Sequence, residues 1–118
     1  MTAPTTGVSV YQNDGALLCI LYGEIDHHTA RTIRTEIDTA LMRARPARLK
    51  LDLSRVSFMD SAGLGLILGR FRSASSIGAD CVLLDPAPGV TRILDLAGIE
   101  RLIRIERSAS TAGAPQKA

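Results

Sequence analysis

Residues 57–70 read SFMDSAGLGLILGR: a strand end turning into a helix whose first turn carries the pair Asp60-Ser61 and the glycines Gly63 and Gly65. Glycine inside a helix costs about 1 kcal/mol relative to alanine. Two in one turn therefore imply close packing on a sheet or close approach by another molecule. The spacing predicts a helix over 61–76 with Leu64, Ile67, Leu68 and Phe71 as its inner stripe and Gly78 as a left-handed stop.

Upstream, 8–11 and 16–22 are β-rich runs joined by Asn13-Asp14-Gly15, a hairpin-turn signal. The second run, ALLCILY, is apolar almost throughout and predicts a strand covered on both faces. From Thr29 the period becomes helical, with Ala30, Ile33, Ile37 and Leu41 inside and Arg31, Arg34, Glu36 and Arg43 outside. Pro46 ends that helix before an alternating strand over 49–53. Downstream come a short buried strand over 81–84, a helix opened by Pro88 and stopped by Gly98, and a last strand over 101–105. Strands and helices alternate after the hairpin. The fold class is α/β: one domain with a mostly parallel or mixed five-stranded sheet, an N-terminal β-hairpin and three to four helices. Residues 1–7 are expected to be a flexible start, 8–107 the domain, and 108–118 a disordered tail, small, polar and broken by Gly113 and Pro115.

The chain has 118 residues, 46% of them apolar and 22% charged, which suits one modest core. Fourteen Lys and Arg against 12 Asp and Glu leave a net charge of +2, too even for a nucleic-acid or membrane surface. Aromatics are 3% and Trp is absent, so platforms for stacking single-stranded nucleic acid are not expected. No apolar run reaches the ~20 residues that span a bilayer. The start, MTAPTTGVSV, lacks a signal-peptide pattern, and Cys19 and Cys81 sit in apolar runs as small hydrophobes. The expected address is the cytoplasm.

Gly63, Gly65 and Gly69 after a strand approximate a dinucleotide fingerprint, with Asp85 near the ribose-binding position, but the spacing is GxGxxxG and the chain is short. No phosphate loop is present, so no cofactor is expected. His27 and His28 beside Asp26 suggest a metal, yet adjacent histidines rarely turn both rings to one ion and no third ligand is near. A solvated helix start with Asp26 at its positive end is the plainer reading, and no metal is expected. Glu24 and Asp26 are ordinary loop carboxylates. Ser61 lacks both a neighbouring base and the GxSxG elbow of a hydrolase. Arg31, Arg34 and Arg43 on one helix, with Arg70 and Arg72 on the other, form either a solvated face or a contact surface for an acidic partner. Ser61 has two readings. It is an N-cap worth about 1 kcal/mol, or a phosphoacceptor where modification adds roughly −1.5 to −2 charges beside Asp60.

The stretches GEIDHHTA (23–30), FMDSAGLG (58–65) and ILGR (67–70) together resemble the anti-sigma factor antagonists, small bacterial proteins of the STAS domain family, and most of all their sporulation branch. The likeness runs from about Val8 to Glu106. It implies that the unphosphorylated protein binds a dimeric anti-sigma factor that is also a serine kinase with a GHKL-type ATPase site, freeing a sigma factor. The kinase then phosphorylates the serine matching Ser61 and the product dissociates. A PP2C-type phosphatase restores the active form. The chain is thereby implied to be substrate and ligand, not an enzyme, without direct contact to nucleic acid or membrane, and a monomer when free.

By the same resemblance, Ser61 is the phosphorylation site. Asp26, His27, Asp60, Ser61, Ala62, Gly63, Leu64 and Gly65 form the implied partner surface. Ala62 stands where relatives often have a second hydroxyl, and Ser57 is the nearby alternative acceptor. Relatives usually end in another amphipathic helix, whereas the segment after Glu106 is short and helix-poor. The alternatives are a STAS module of a stress-response or scaffold pathway, and a small nucleotide-binding protein.

Overall fold

The computed structural model describes residues 5–108. The expectations for residues 1–4 and 109–118, including the tail and the question of a final helix, lie outside them. In chain order the elements are β1 (Gly7–Asn13), β2 (Ala16–Ile25), α1 (His27–Ala44), β3 (Arg48–Met59), α2 (Ser61–Ser76), β4 (Asp80–Leu84), α3 (Pro88–Ala97), a 3₁₀ turn (Ile99–Arg101) and β5 (Arg104–Glu106). The sheet order is β1-β2-β3-β4-β5. β1 and β2 are antiparallel, and every later pair is parallel. This is the mixed five-stranded α/β sheet expected, with three α-helices.

Local chemistry sets the element ends. Asp14 and Gly15 take φ of 49° and 79°, the two left-handed residues that a tight hairpin needs. α1 stops one residue before Arg45, left-handed at φ 42°, and Pro46 follows. Gly98 caps α3 at φ 68° and Gly78 follows α2 at φ 77°.

The core lies on one face of the sheet. Leu17, Cys19, Leu21, Leu49, Leu51, Leu53, Cys81 and Leu83 alternate along the strands. They form a single cluster with Ile33, Ile37 and Leu41 of α1, Leu66, Ile67 and Ala74 of α2, and Val90 and Leu94 of α3. On the other face Leu18, Ile20 and Tyr22 are only half-buried. That corrects the expectation that β2 is covered on both faces: the helices seal one side.

Three further expectations shift. β3 does not stop at Leu53 but continues to Met59, pairing with β2 beyond the end of β4. Register shifts at Ile20/Tyr22 and Gly23/Glu24 put extra residues into β3, so Ser54-Arg55 and Ser57-Phe58 are exposed in pairs and the period of two is lost. The last strand begins at Arg104, because residues 99–101 wind into the 3₁₀ turn. On α2 the buried residues are Gly63, Leu66, Ile67, Arg70 and Ala74, while Leu64, Leu68 and Phe71 flank the core, half-buried. Arg70, expected on the outer face, is 5% exposed. Its Nε lies 3.0 Å from Asp38 Oδ1 on α1, and the carboxylate makes its burial tolerable.

Candidate functional site

β2 and β3 run parallel and end side by side at Ile25 and Met59, which are register partners. Each strand passes directly into a helix, so the two helix starts meet at the carboxyl end of the sheet, where parallel α/β sheets place their ligands. The Asp60 N–H donates to the Ile25 carbonyl at 3.4 Å, linking the two starts.

Aspartates cap both helices. Asp26 Oδ1 accepts from the His28 and Thr29 amides, each at 3.0 Å, and Thr29 Oγ1 accepts from the Asp26 amide at 3.0 Å. This reciprocal capping box holds the Asp26 carboxyl below its ordinary pKa of 3.8. The Thr29 amide bond is the largest cause, opposed by desolvation and aided by the His28 amide bond, the Thr29 hydroxyl and the His28 charge. Asp60 Oδ1 accepts from the Ala62 amide at 2.9 Å. Asp60, not Ser61, is therefore the N-cap of α2, which corrects the capping reading of Ser61. Ser61 is the first helical residue and is exposed, with its hydroxyl free of the cap. Glu24, expected on a loop with Asp26, belongs to β2.

The expected partner-surface residues fall around this pair of helix starts. Asp26 and His27 stand at α1, and Asp60, Ser61, Ala62 and Gly65 at α2. Gly65 is exposed, and a Cβ there would meet nothing within 4 Å. Gly63 differs: it is buried, and a Cβ would lie 2.2 Å from Met59 Cγ. Its lack of a side chain serves packing of α2 on the end of β3. Leu64 is half-buried against the core. The alternative acceptor Ser57 is an exposed residue within β3.

His27 and His28 face different hollows although their ring centroids are 4.3 Å apart. His27 lines a groove between α1 and α2, whereas His28 lines a hollow shared with Thr6 and Tyr22. Phe58, 51% exposed on the last turn of strand before Asp60, adds an apolar side chain close to Ser61 in the chain. Sequence reading did not single it out, because a phenylalanine in a strand reads as core until the bulge in β3 is known.

A family model of the STAS domain matches residues 7–112. The chain belongs to the STAS domain family. An anti-sigma F factor antagonist of Paenibacillus polymyxa is 36% identical over 98 residues, 83% of this chain and 84% of that protein. An anti-sigma-B factor antagonist of Bacillus subtilis is 31% identical over 109 residues, 92% and 96% of the two chains. The solved structure of the anti-sigma factor antagonist SpoIIAA in its unphosphorylated form is similar, with TM-score 0.75 at 28% identity over 89% of this chain and 90% of that one. SpoIIAA of Bacillus in its phosphorylated form has TM-score 0.69 at 27% identity over 89% and 94%. The resemblance to antagonists of anti-sigma factors, drawn from GEIDHHTA and FMDSAGLG, is thus met by the fold and by the relatives together.

Proposed function

We propose that this STAS protein is an anti-sigma factor antagonist, switched off by phosphorylation of Ser61. One observation carries the site assignment: Ser61 is an exposed first residue of α2 whose cap is supplied by its neighbour Asp60. The hydroxyl is free to react without unmaking the helix start. Relatives named as antagonists, one of them solved with and without phosphate, support the reading.

In the unphosphorylated state the partner is an anti-sigma factor with a GHKL-type serine kinase site, and its capture frees a sigma factor. Asp26, His27, Asp60, Ala62 and Gly65, with Gly63 and Leu64 shaping the helix start beneath them, make up the contact surface. The kinase ends the contact. Ser61 Oγ attacks the γ-phosphorus of ATP, the bond to the bridging oxygen breaks, ADP leaves and the hydroxyl proton is released. The product carries roughly −1.5 to −2 charges at that point. The positive end of α2 favours them, while the Asp60 carboxylate repels them. A surface that fits when neutral is then spoiled by charge and bulk, with no refolding. Water attacks the phosphorus in a PP2C-type phosphatase, returning serine and phosphate.

In this cycle the chain is ligand and substrate, not enzyme. It acts as a monomer in the cytoplasm, its domain spanning 8–107. Among the described residues no helix is long and apolar enough to cross a membrane. A sporulation-type sigma factor is the first assignment downstream. A stress-type one is the second, favoured by the B. subtilis relative.

The test is incubation with candidate anti-sigma kinases and ATP, followed by mass mapping. Phosphate is expected on Ser61 alone. Ser61→Ala should take up none and still bind, and Ser61→Asp should bind more weakly. Continued phosphorylation of the alanine variant would overturn the site.

A further inference from the structure

The groove between α1 and α2 encloses about 470 Å³ and has a floor of small residues: Ala30 on α1 and Ala62, Gly65 and Gly69 on α2. A Cβ built at Gly65 or at Gly69 would meet nothing within 4 Å, so the α2 backbone is bare along this line. Neither glycine is needed for packing inside the chain. From Ala62 to Gly69 the line rises about 10 Å, or two helical turns.

The walls are cationic. Arg31 and Arg34 stand one turn apart on α1, both exposed, and His27 closes one end. None of the lining residues is acidic. Arg34 reaches Asp38 only at 3.9 Å, and Arg31 makes no ion pair among the described residues. Arg70 also lines the groove, with 95% of its surface buried and Nη1 lacking any hydrogen-bond partner among the described residues. Asp38 pairs with its Nε, so Arg70 backs the wall from within, and the groups open to an incoming acceptor are the exposed Arg31 and Arg34. No Phe, Tyr or Trp lines the groove, so a nucleotide base has no ring to stack on.

Resting on the antagonist reading, we propose that this groove seats an acidic amphipathic helix of the anti-sigma partner. The helix lies lengthwise over Gly65 and Gly69, with carboxylates reaching Arg31 and Arg34. Helix-in-groove recognition uses anchors one turn apart, which the two-turn floor matches. Small floor residues let the two backbones approach closely, and the arginines set direction and encounter rate. This surface is separate from the Ser61 hydroxyl and extends the contact down the length of α2.

The test is calorimetric titration with the anti-sigma factor that phosphorylates Ser61, using three full-length chains. These are the unaltered protein, Gly69→Leu, and the double variant Arg31→Glu/Arg34→Glu, each checked by thermal melting. The leucine fills the groove from a position with free space around it, so folding should be retained. Both variants should lose at least about tenfold in affinity, and the double variant should also lose most of the salt dependence of binding. Near-native affinity in both folded variants would overturn the groove proposal and leave the antagonist reading intact. Failure of the unaltered protein to bind any such kinase would overturn that reading, and this one with it. Saturable binding of pyrophosphate or ADP that both variants abolish would replace the helix with a small anion and overturn the assignment.

Discussion

Arg70 Nε on α2 lies 3.0 Å from Asp38 Oδ1 on α1, one end almost fully buried and the other about a third exposed. Within ion-pair distance, the two atoms are not aligned as a hydrogen bond, and Arg70 Nη1 also lacks a partner among the described residues. Burial lowers the guanidinium pKa, Asp38 opposes that, and Arg34 adds to it. The pair thus holds a buried charge that only one carboxylate balances. It joins the two helices that carry the site.

Removing the carboxylate alone should therefore cost more than removing both charges. Asp38→Ala strands the guanidinium and should destabilise by about 2–3 kcal/mol, towards the lower end for a broken buried pair because Asp38 is partly solvated. Arg70→Met keeps the packing of the stem and removes the charge, so it should cost no more than about 1 kcal/mol. The double variant should resemble Arg70→Met alone. Urea melts of the three variants measure this, and a stability for Asp38→Ala equal to that of the unaltered protein would refute the account.

The glycines of the first α2 turn should separate sharply. Gly63→Ala drives a Cβ to 2.2 Å from Met59 Cγ and 2.5 Å from its Sδ, in a side chain that is itself buried. Overpacking of this kind costs about 1–3 kcal/mol. Gly65→Ala meets nothing and should stabilise by up to about 1 kcal/mol through helix propensity. Opposite signs in paired thermal melts are the expected result. Two losses of equal size would show that both glycines pack inside the chain.

Most of the architecture was legible because its signals are local. Asp14-Gly15, Pro46, Pro88 and Gly98 each act on the backbone where they stand: the hairpin turns at the first, α1 ends just before the second, and α3 begins and ends at the last two. What was hidden depends on distant partners. The extension of β3 needs β2 beside it, and the bulges erase the alternation that marks a strand. Arg70 reads as a surface residue until Asp38 is seen across the helix pair. Likewise, Ser61 and Asp60 are both good caps by composition, and only the bond from the Ala62 amide decides between them.

Asp26 should give the fold an acid limb. Its carboxyl titrates below the ordinary 3.8 because the helix-start amides favour the charged form. The stability it lends is present above that value and is lost as pH falls through the depressed folded pKa. Asp26→Asn keeps an oxygen for capping but cannot ionise. The difference in Tm between the two proteins should be largest near neutral pH and shrink as pH falls below 3.8. A difference that stays constant from pH 7 to pH 2 would mean that the charge contributes nothing.

Cys19 and Cys81 should be inert in the folded protein. They are 0% and 4% exposed, on β2 and β4 of the sealed face. Burial pushes both thiols up to about 12, with Cys81 adding to the shift of Cys19 and Asp80 to that of Cys81. The thiolate is the reactive form, so at pH 8 a disulfide reagent should label neither residue until the chain opens. Both should react at once in guanidinium, and labelling in buffer should follow the opening of the sheet. The same shift carries a sign for alkaline stability. The neutral thiols favour the folded state fully below the ordinary value of 9.0, and that advantage is lost as pH climbs towards about 12. Cys19→Ala should flatten part of this decline while costing some packing at neutral pH. Rapid labelling of the native protein at pH 8 would show that the face carrying Leu17, Cys19 and Leu21 is not sealed.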